Sequence, residues 1–450
     1  MTMAAVQTIL QSGAPVTAGV RHRYVPVPLY LATMLFYLLL IPEQANFSPG
    51  GVMLTPYRLF LIPIFFYLLR LALRGSFRFA WPDVAVSLAC FWIALASYIS
   101  SGSFEDALIM GGAHLMDIAL PYFVARFAIR SPRDFRIFLI LIAPGVASMG
   151  MVVLAESLTG RHLIQPFLAM LTGNPSKLGP EFRLGLMRGA ASFPHPILAG
   201  ICLASFLPLY LMSGLRGWPK WIGVIGSVGS FFTMSSAALL GLAAGMILRA
   251  YDGLTQRVLN LNWRIFLVAV SILYLAVELT SKSGFFNVLV RYASLNTVSA
   301  YNRVLIWRYG SENVARNPWF GIGYTDWDRP SWMQWDTSFS IDHFWLLLAV
   351  RFGVPVTLFL LLTAFGAVVM IAARSSTHGP DDARLMRGVA ISLAVFALGA
   401  FSVALWLNAL VWFFTLCGIA VSLASPSQQA IPFRPATPSV GSSVQLRRQF

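Results

Sequence analysis

Two histidines and a small set of arginines stand out against a mostly apolar chain. His343 follows Asp342 and directly precedes the apolar block Phe344 to Val350. A neutral imidazole with a pKa of about 6.5 accepts a hydroxyl proton near neutral pH, so His343 is the strongest candidate base. Asp342 cannot be assumed to orient it, because adjacent side chains on a helix diverge. Arg303 and Arg308 flank Trp307, and Arg188 opens the run Arg188-Gly189-Ala190-Ala191-Ser192-Phe193-Pro194-His195-Pro196. Arginine keeps its charge and offers a planar fork of donors, so this set suits a phosphate. The blander reading makes the arginines solvated or snorkelling loop side chains and His343 a helix-start residue. His195, between two prolines, reads first as a turn that starts a helix.

Aromatic residues crowd the same stretch: Trp319, Tyr324, Trp327, Trp332, Trp335 and Phe339. Their faces suit sugar rings, and an interfacial aromatic belt is the competing explanation. Arg58, His114 and Asp117 fall inside apolar runs, where ionisable groups require a partner or a cavity; an Arg58–Asp117 pair is expected. Gly321 and Gly323 resemble no nucleotide loop, since no strand precedes them and no helix follows at once.

The elements that hold these residues follow from composition. The chain is 57% hydrophobic and 11% charged over 450 residues, outside the range of soluble domains. Continuous apolar runs of membrane-crossing length recur, which predicts an all-α, polytopic integral membrane protein and argues against a barrel. The runs suggest about twelve transmembrane helices within a membrane domain at 27–425. The expected flanks are a cytoplasmic tail at 1–26 and a disordered cytoplasmic tail at 426–450.

Arginines gather in alternate links (Arg70, Arg74, Arg78; Arg130, Arg133, Arg136; Arg249, Arg257, Arg264; Arg374, Arg384, Arg387), which places those links inside. Two long loops, at about 156–193 and 281–342, then lie outside, the second before a tenth helix at about 343–372. Helices at about 219–234 and 237–250 form a hairpin turning at Ser235-Ser236. The net charge of +15 is spread through such links and forms no basic domain, so nucleic acid is set aside. Cys90, Cys202 and Cys417 lie within apolar runs and show neither disulfide nor metal spacing.

Arg188 through His195-Pro196, Arg303-x-x-x-Trp307, Asn317-Pro318-Trp319-Phe320-Gly321-Ile322-Gly323 and His343 before Gly353 form an ordered set. It resembles the O-antigen ligase/polymerase family of bacterial membrane glycosyltransferases. The resemblance implies a multi-pass protein of the bacterial inner (cytoplasmic) membrane with a periplasmic active face. It further implies transfer of a glycan from an undecaprenyl-diphosphate carrier to a hydroxyl, with no metal and no cofactor. Membrane lipids, a chain-length regulator and export machinery are the implied partners. By resemblance His343, Arg303 and Arg188 are the catalytic residues. Arg308, Arg58, His195, Trp307, Trp319 and Trp327 are expected to bind substrate.

One departure bears on the reaction. Relatives, ligases especially, place an arginine after a serine at the hairpin turn; here the turn reads Thr233-Met234-Ser235-Ser236. Ligases also often follow the histidine with Asn, where this chain has Phe344. Both differences favour a polymerase of capsule, exopolysaccharide or O-antigen repeats over a ligase, with Arg58 or Arg308 as replacements for the missing charge. A lipid-linked sugar flippase and a membrane acyltransferase are the readings from other classes. The first lacks the repeated halves and midplane site of a transporter, and the second needs His343 on the cytoplasmic side.

Overall fold

A computed structural model describes residues 27–49, 52–74, 79–258, 261–281, 284, 285, 288, 297–333 and 340–425. The two expected tails, most of 282–296, and Trp335 and Phe339 lie outside the described residues. The chain is helical throughout its membrane part, as it must be where no water satisfies backbone groups. In order come α1 (Val27–Leu39), α2 (Pro56–Leu73), α3 (Trp81–Ser101), α4 (Phe104–His114) and α5 (Leu120–Ala128), the last two joined by a π turn at Leu115–Ala119. Then follow α6 (Pro132–Thr159), α7 (Ile164–Thr172), β1 (Phe182–Arg183), β2 (Leu186–Met187) and α8 (Pro196–Met212). The second half holds α9 (Trp218–Val228), α10 (Ser236–Thr255), α11 (Trp263–Thr280), α12 (Thr297–Arg316), α13 (Phe344–Phe352), α14 (Val354–Ser375), α15 (Pro380–Gly399) and α16 (Leu407–Ala424).

Among the described residues eight helical stretches are long and apolar enough to cross a membrane, and α1 and α8 contain shorter apolar helices. The protein is therefore a polytopic membrane protein. α16 is buried on every side, as its all-round apolar sequence requires; it packs against α5, α14 and α15. α11 buries none of its residues, which suits a helix surrounded by lipid.

Buried charge is paired. Asp83 on α3 accepts from Arg126 Nε and Nη2 (2.8 and 2.7 Å) and from the Tyr122 hydroxyl (2.6 Å). The anticipated Arg58–Asp117 pair forms between α2 and the π turn, with Nε at 2.9 Å, Nη2 at 2.5 Å and the Tyr57 hydroxyl at 3.0 Å. Removing one member of such a pair strands the other charge in a poorly solvated place.

Two expectations are corrected. The stretch 281–342 is not one polar loop, because residues 297–316 form the twenty-residue helix α12. Its sequence is too polar to read as a membrane helix, which hid it. The tenth helix is broken at Gly353 into α13 and α14. Gly353 adopts φ +89°, ψ 169°, a conformation open essentially to glycine alone. The break is filled by the Asn317–Gly323 motif: Ile322 and Gly323 donate to the carbonyls of Val350 and Arg351 (2.8 and 2.9 Å), and Val354 donates to the Pro318 carbonyl (2.8 Å). A Cβ on Gly353 would lie 2.0 Å from the Trp319 carbonyl oxygen. Gly321 and Gly323 therefore serve a backbone lock.

Gly353→Ala is expected to destabilise the protein by about 2 kcal/mol or more. Gly112→Ala, where an added Cβ meets nothing within 4 Å, should be neutral. Thermal melting of the two variants in detergent checks this; equal melting temperatures would remove the lock.

Candidate active site

The segment after α7 folds into a minimal hairpin. Leu184 and Gly185 both take positive φ (50° and 82°), the pattern of a tight primed turn that matches strand twist. The pairing Phe182↔Met187 and Arg183↔Leu186 fixes two arginines at its open side. Arg188 donates its backbone N–H to the Glu181 carbonyl (2.8 Å) and Nη1 to the Glu181 carboxylate. Its Nε reaches the Thr233 carbonyl at 3.4 Å. Arg183 donates Nη1 to the Met234 carbonyl at 3.1 Å. Both guanidinium groups thus sit at the α9–α10 hairpin turn. The charge absent from that turn in sequence is brought to it by Arg183, and neither Arg58 nor Arg308 does so.

Arg303 arrives from α12. Ser299, Asn302, Arg303 and Ile306 are spaced three or four apart and line one cavity, as residues on one helix face do. Together with Glu181, Arg183, Arg188 and His195 on one side, and Ser340, Asp342, Val403 and Trp406 on another, they enclose about 470 Å³. Arg188, Arg303 and His195, each singled out from sequence, meet here across more than a hundred residues of chain. Arg183, Glu181, Asn302 and Ser299 were missed. Their only signal was helical spacing in a stretch read as loop, and a turn dipeptide too short to notice.

The electrostatics are uneven. Burial, reinforced by the Arg188 charge, lowers the Arg303 pKa, while Asp342 works against that shift. Burial and the charges of Arg188 and Arg303 likewise lower Arg183, with Glu181 opposing. Three guanidinium groups gathered around a half-enclosed space gain from a multivalent anion. Among the described residues no three His, Cys, Asp or Glu side chains gather as a metal-holding group.

Both histidines act as helix caps. His195 Nδ1 accepts from the Ile197 backbone N–H (3.2 Å) at the start of α8, and His343 Nδ1 accepts from the Leu346 N–H (3.1 Å) at the start of α13. A backbone amide can only donate, so Nδ1 is bare in each ring and the neutral tautomer carries its proton on Nε2. Burial pushes both down to about 4, with neighbouring arginine charge adding to the effect at His195. His343 is 3% exposed and lies between Trp307 and Phe401, ring centroids 4.7 and 5.3 Å away. It flanks Asp342, which lines the cavity. In this arrangement the His343 ring caps through Nδ1 and offers an Nε2–H donor.

The remaining expected binding residues disperse. Trp307 packs on His343. Arg308 is exposed on α12, its guanidinium 5.7 Å from the Tyr309 ring centroid. Arg58 is engaged by Asp117, and it does not line the cavity. Trp327 is 2% exposed in a small core with Leu305, Ile306 and Leu346. Trp319 is exposed, and its carbonyl accepts from Trp92 Nε1 at 3.0 Å. Neither tryptophan lines the cavity.

The histidine caps predict a pH effect on stability. Each folded pKa lies near 4, below the ordinary 6.5, so the unfolded chain binds more protons between these values. Stability contributed by neutral burial is complete above pH 6.5 and is lost as pH falls toward 4. Thermal melting from pH 8 to 4 should show that loss, and His195→Asn, which keeps a capping oxygen without titrating, should show less of it. An identical pH profile in the variant would contradict the assignment.

No curated protein matches the chain. Residues 221–361 match the family model described as O-antigen ligase. The match takes in the hairpin turn, Arg303, Asp342 and His343, whereas Arg183, Arg188 and His195 join the cavity from outside it. Through that stretch the chain, a multi-pass membrane protein, is similar to the O-antigen ligase family.

Proposed function

We propose that the protein polymerises undecaprenyl-diphosphate-linked repeat units of a surface polysaccharide on the periplasmic face of the bacterial inner membrane. The observation that carries this reading is the convergence of Arg183, Arg188 and Arg303 on one cavity with Asp342 in its wall. The reading of the arginine-rich links as cytoplasmic supports a cavity on the opposite, periplasmic side.

In this reading the donor diphosphate occupies the arginine side of the cavity. The acceptor hydroxyl attacks the anomeric carbon, the carbon–oxygen bond to the diphosphate breaks, and the electron pair leaves with the phosphate oxygen. Fixed guanidinium groups meet the charge that develops there without having to reorganise. The hydroxyl proton goes to the Asp342 carboxylate, a better acceptor here than an imidazole whose Nδ1 is committed to a cap. His195, which lines the cavity, supplies an Nε2–H donor. His343 holds the Asp342 segment at the start of α13 against Trp307 and Phe401. Asn302, Ser299 and Ser340 are of the type that orients sugar hydroxyls.

Ligation of a finished glycan to a lipid or protein acceptor uses the same donor chemistry, and the description of the family model favours it. The lack of a turn arginine favours polymerisation. A host lacking the gene separates them when complemented with wild type, Asp342→Asn or Arg303→Lys. Lysine cannot reproduce the bidentate fork, so Arg303→Lys should lose about 100-fold or more of activity. Asp342→Asn should abolish it with the protein still inserted. Single lipid-linked repeats accumulating in the variants identify a polymerase; long unattached lipid-linked chains identify a ligase. A wild-type glycan profile in both variants sinks the site assignment.

A further inference from the structure

The segment that carries Arg188 rests on a buried carboxylate. Glu156, near the end of α6, is 0% exposed. Its Oε2 accepts from the backbone N–H groups of Ala190 (2.8 Å) and Ala191 (2.9 Å) and lies 3.3 Å from His162 Nδ1. Its Oε1 accepts from the Leu163 N–H at 2.9 Å. From the other side Gln165, 1% exposed, donates Nε2 to the carbonyls of Phe193 (2.5 Å) and Ala191 (3.4 Å). The Gln165 oxygen is itself held by Gln44 Nε2 (3.2 Å) and Ser176 Oγ (3.0 Å).

The conformation so gripped is not one the segment would adopt unaided. Ala191 has φ +51°, uncommon for a residue with a Cβ. Gly189 is pressed so close to α6 that a Cβ there would lie 2.4 Å from the Val153 carbonyl oxygen. Consecutive backbone N–H groups converging on one anion form a cradle that a carboxylate fills. The two captured amides lie two and three residues from Arg188. Gly189 N–H, bonded to the Phe232 carbonyl at 3.2 Å, fixes the stretch between them. Arg188 Nη2 is buried with no hydrogen-bond partner among the described residues, in a side chain that lines the cavity.

We infer that Glu156 is a positioning residue of this site: its carboxylate, seconded by Gln165, sets the backbone from which Arg188 meets the diphosphate. The inference rests on the diphosphate reading of the cavity. A glutamine at 156 would turn an NH2 group toward backbone donors and could satisfy them with one oxygen only.

The test uses purified full-length protein in lipid nanodiscs, with farnesyl diphosphate as the probe. Glu156→Gln should speed amide deuterium exchange at residues 188–193 while exchange in α14 and α16 stays unchanged. It should weaken probe binding about tenfold, as Arg188→Lys does without altering the exchange. Gln165→Met loosens the same segment from its other side and covers the case in which Glu156→Gln is not recovered folded. Unchanged exchange at 188–193 in the recovered variants overturns the inference. Faster exchange with unaltered probe affinity in these variants, while Arg188→Lys weakens binding, overturns it as well; unaltered affinity in Arg188→Lys overturns the diphosphate reading on which it stands.

Discussion

Three guanidinium groups held around one half-enclosed cavity repel each other, and much of the surrounding architecture consists of what keeps them there. Each comes from a different element: Arg183 and Arg188 from the two edges of a two-residue hairpin, Arg303 from α12. Glu181 and Asp342 offset part of the charge. The rest is imposed by backbone, with the carbonyls of Thr233 and Met234 receiving two of the guanidinium groups. Such an arrangement is poor in isolation and good with an anion bound, which is what a site for a charged leaving group requires.

The two histidines show how a motif residue can hold a helix start beside the cavity. Capping ties up Nδ1, and the tautomer follows from the backbone amide with no further assumption. His195 starts α8 and His343 starts α13, so each sets the direction in which a cavity wall leaves the membrane. Asp342, which the sequence did not license as a partner that orients His343, lines the cavity directly before that cap. The Gly353 break does comparable work one turn farther on, seating the Asn317–Gly323 motif against α13 and α14.

The helical membrane architecture was legible in the sequence because burial in lipid demands long apolar runs, and arginine-rich links punctuate them. Arg188, Arg303 and His195 could be chosen from residue chemistry alone, and so could the Arg58–Asp117 pair, since an intramembrane charge needs a partner. α12 escaped because an external helix on this cavity needs neither apolar length nor a strong apolar stripe. The burial of Trp327 was not legible, because an aromatic in a polar stretch gives no sign of whether it stacks on ligand or fills a core.

What the sequence by itself determined, then, is the apolar, helical membrane architecture and the kind of charge available between its helices. Tertiary structure decided which charges meet. Arg183 comes to the turn at Met234 through a contact between residues 51 apart, and Glu156 reaches the Arg188 segment across 34. Neither distance leaves a local pattern, because side-chain hydrogen bonds to backbone constrain a residue's type only at one end. The tautomers of His195 and His343 are likewise fixed by helix starts that exist only once the chain is folded.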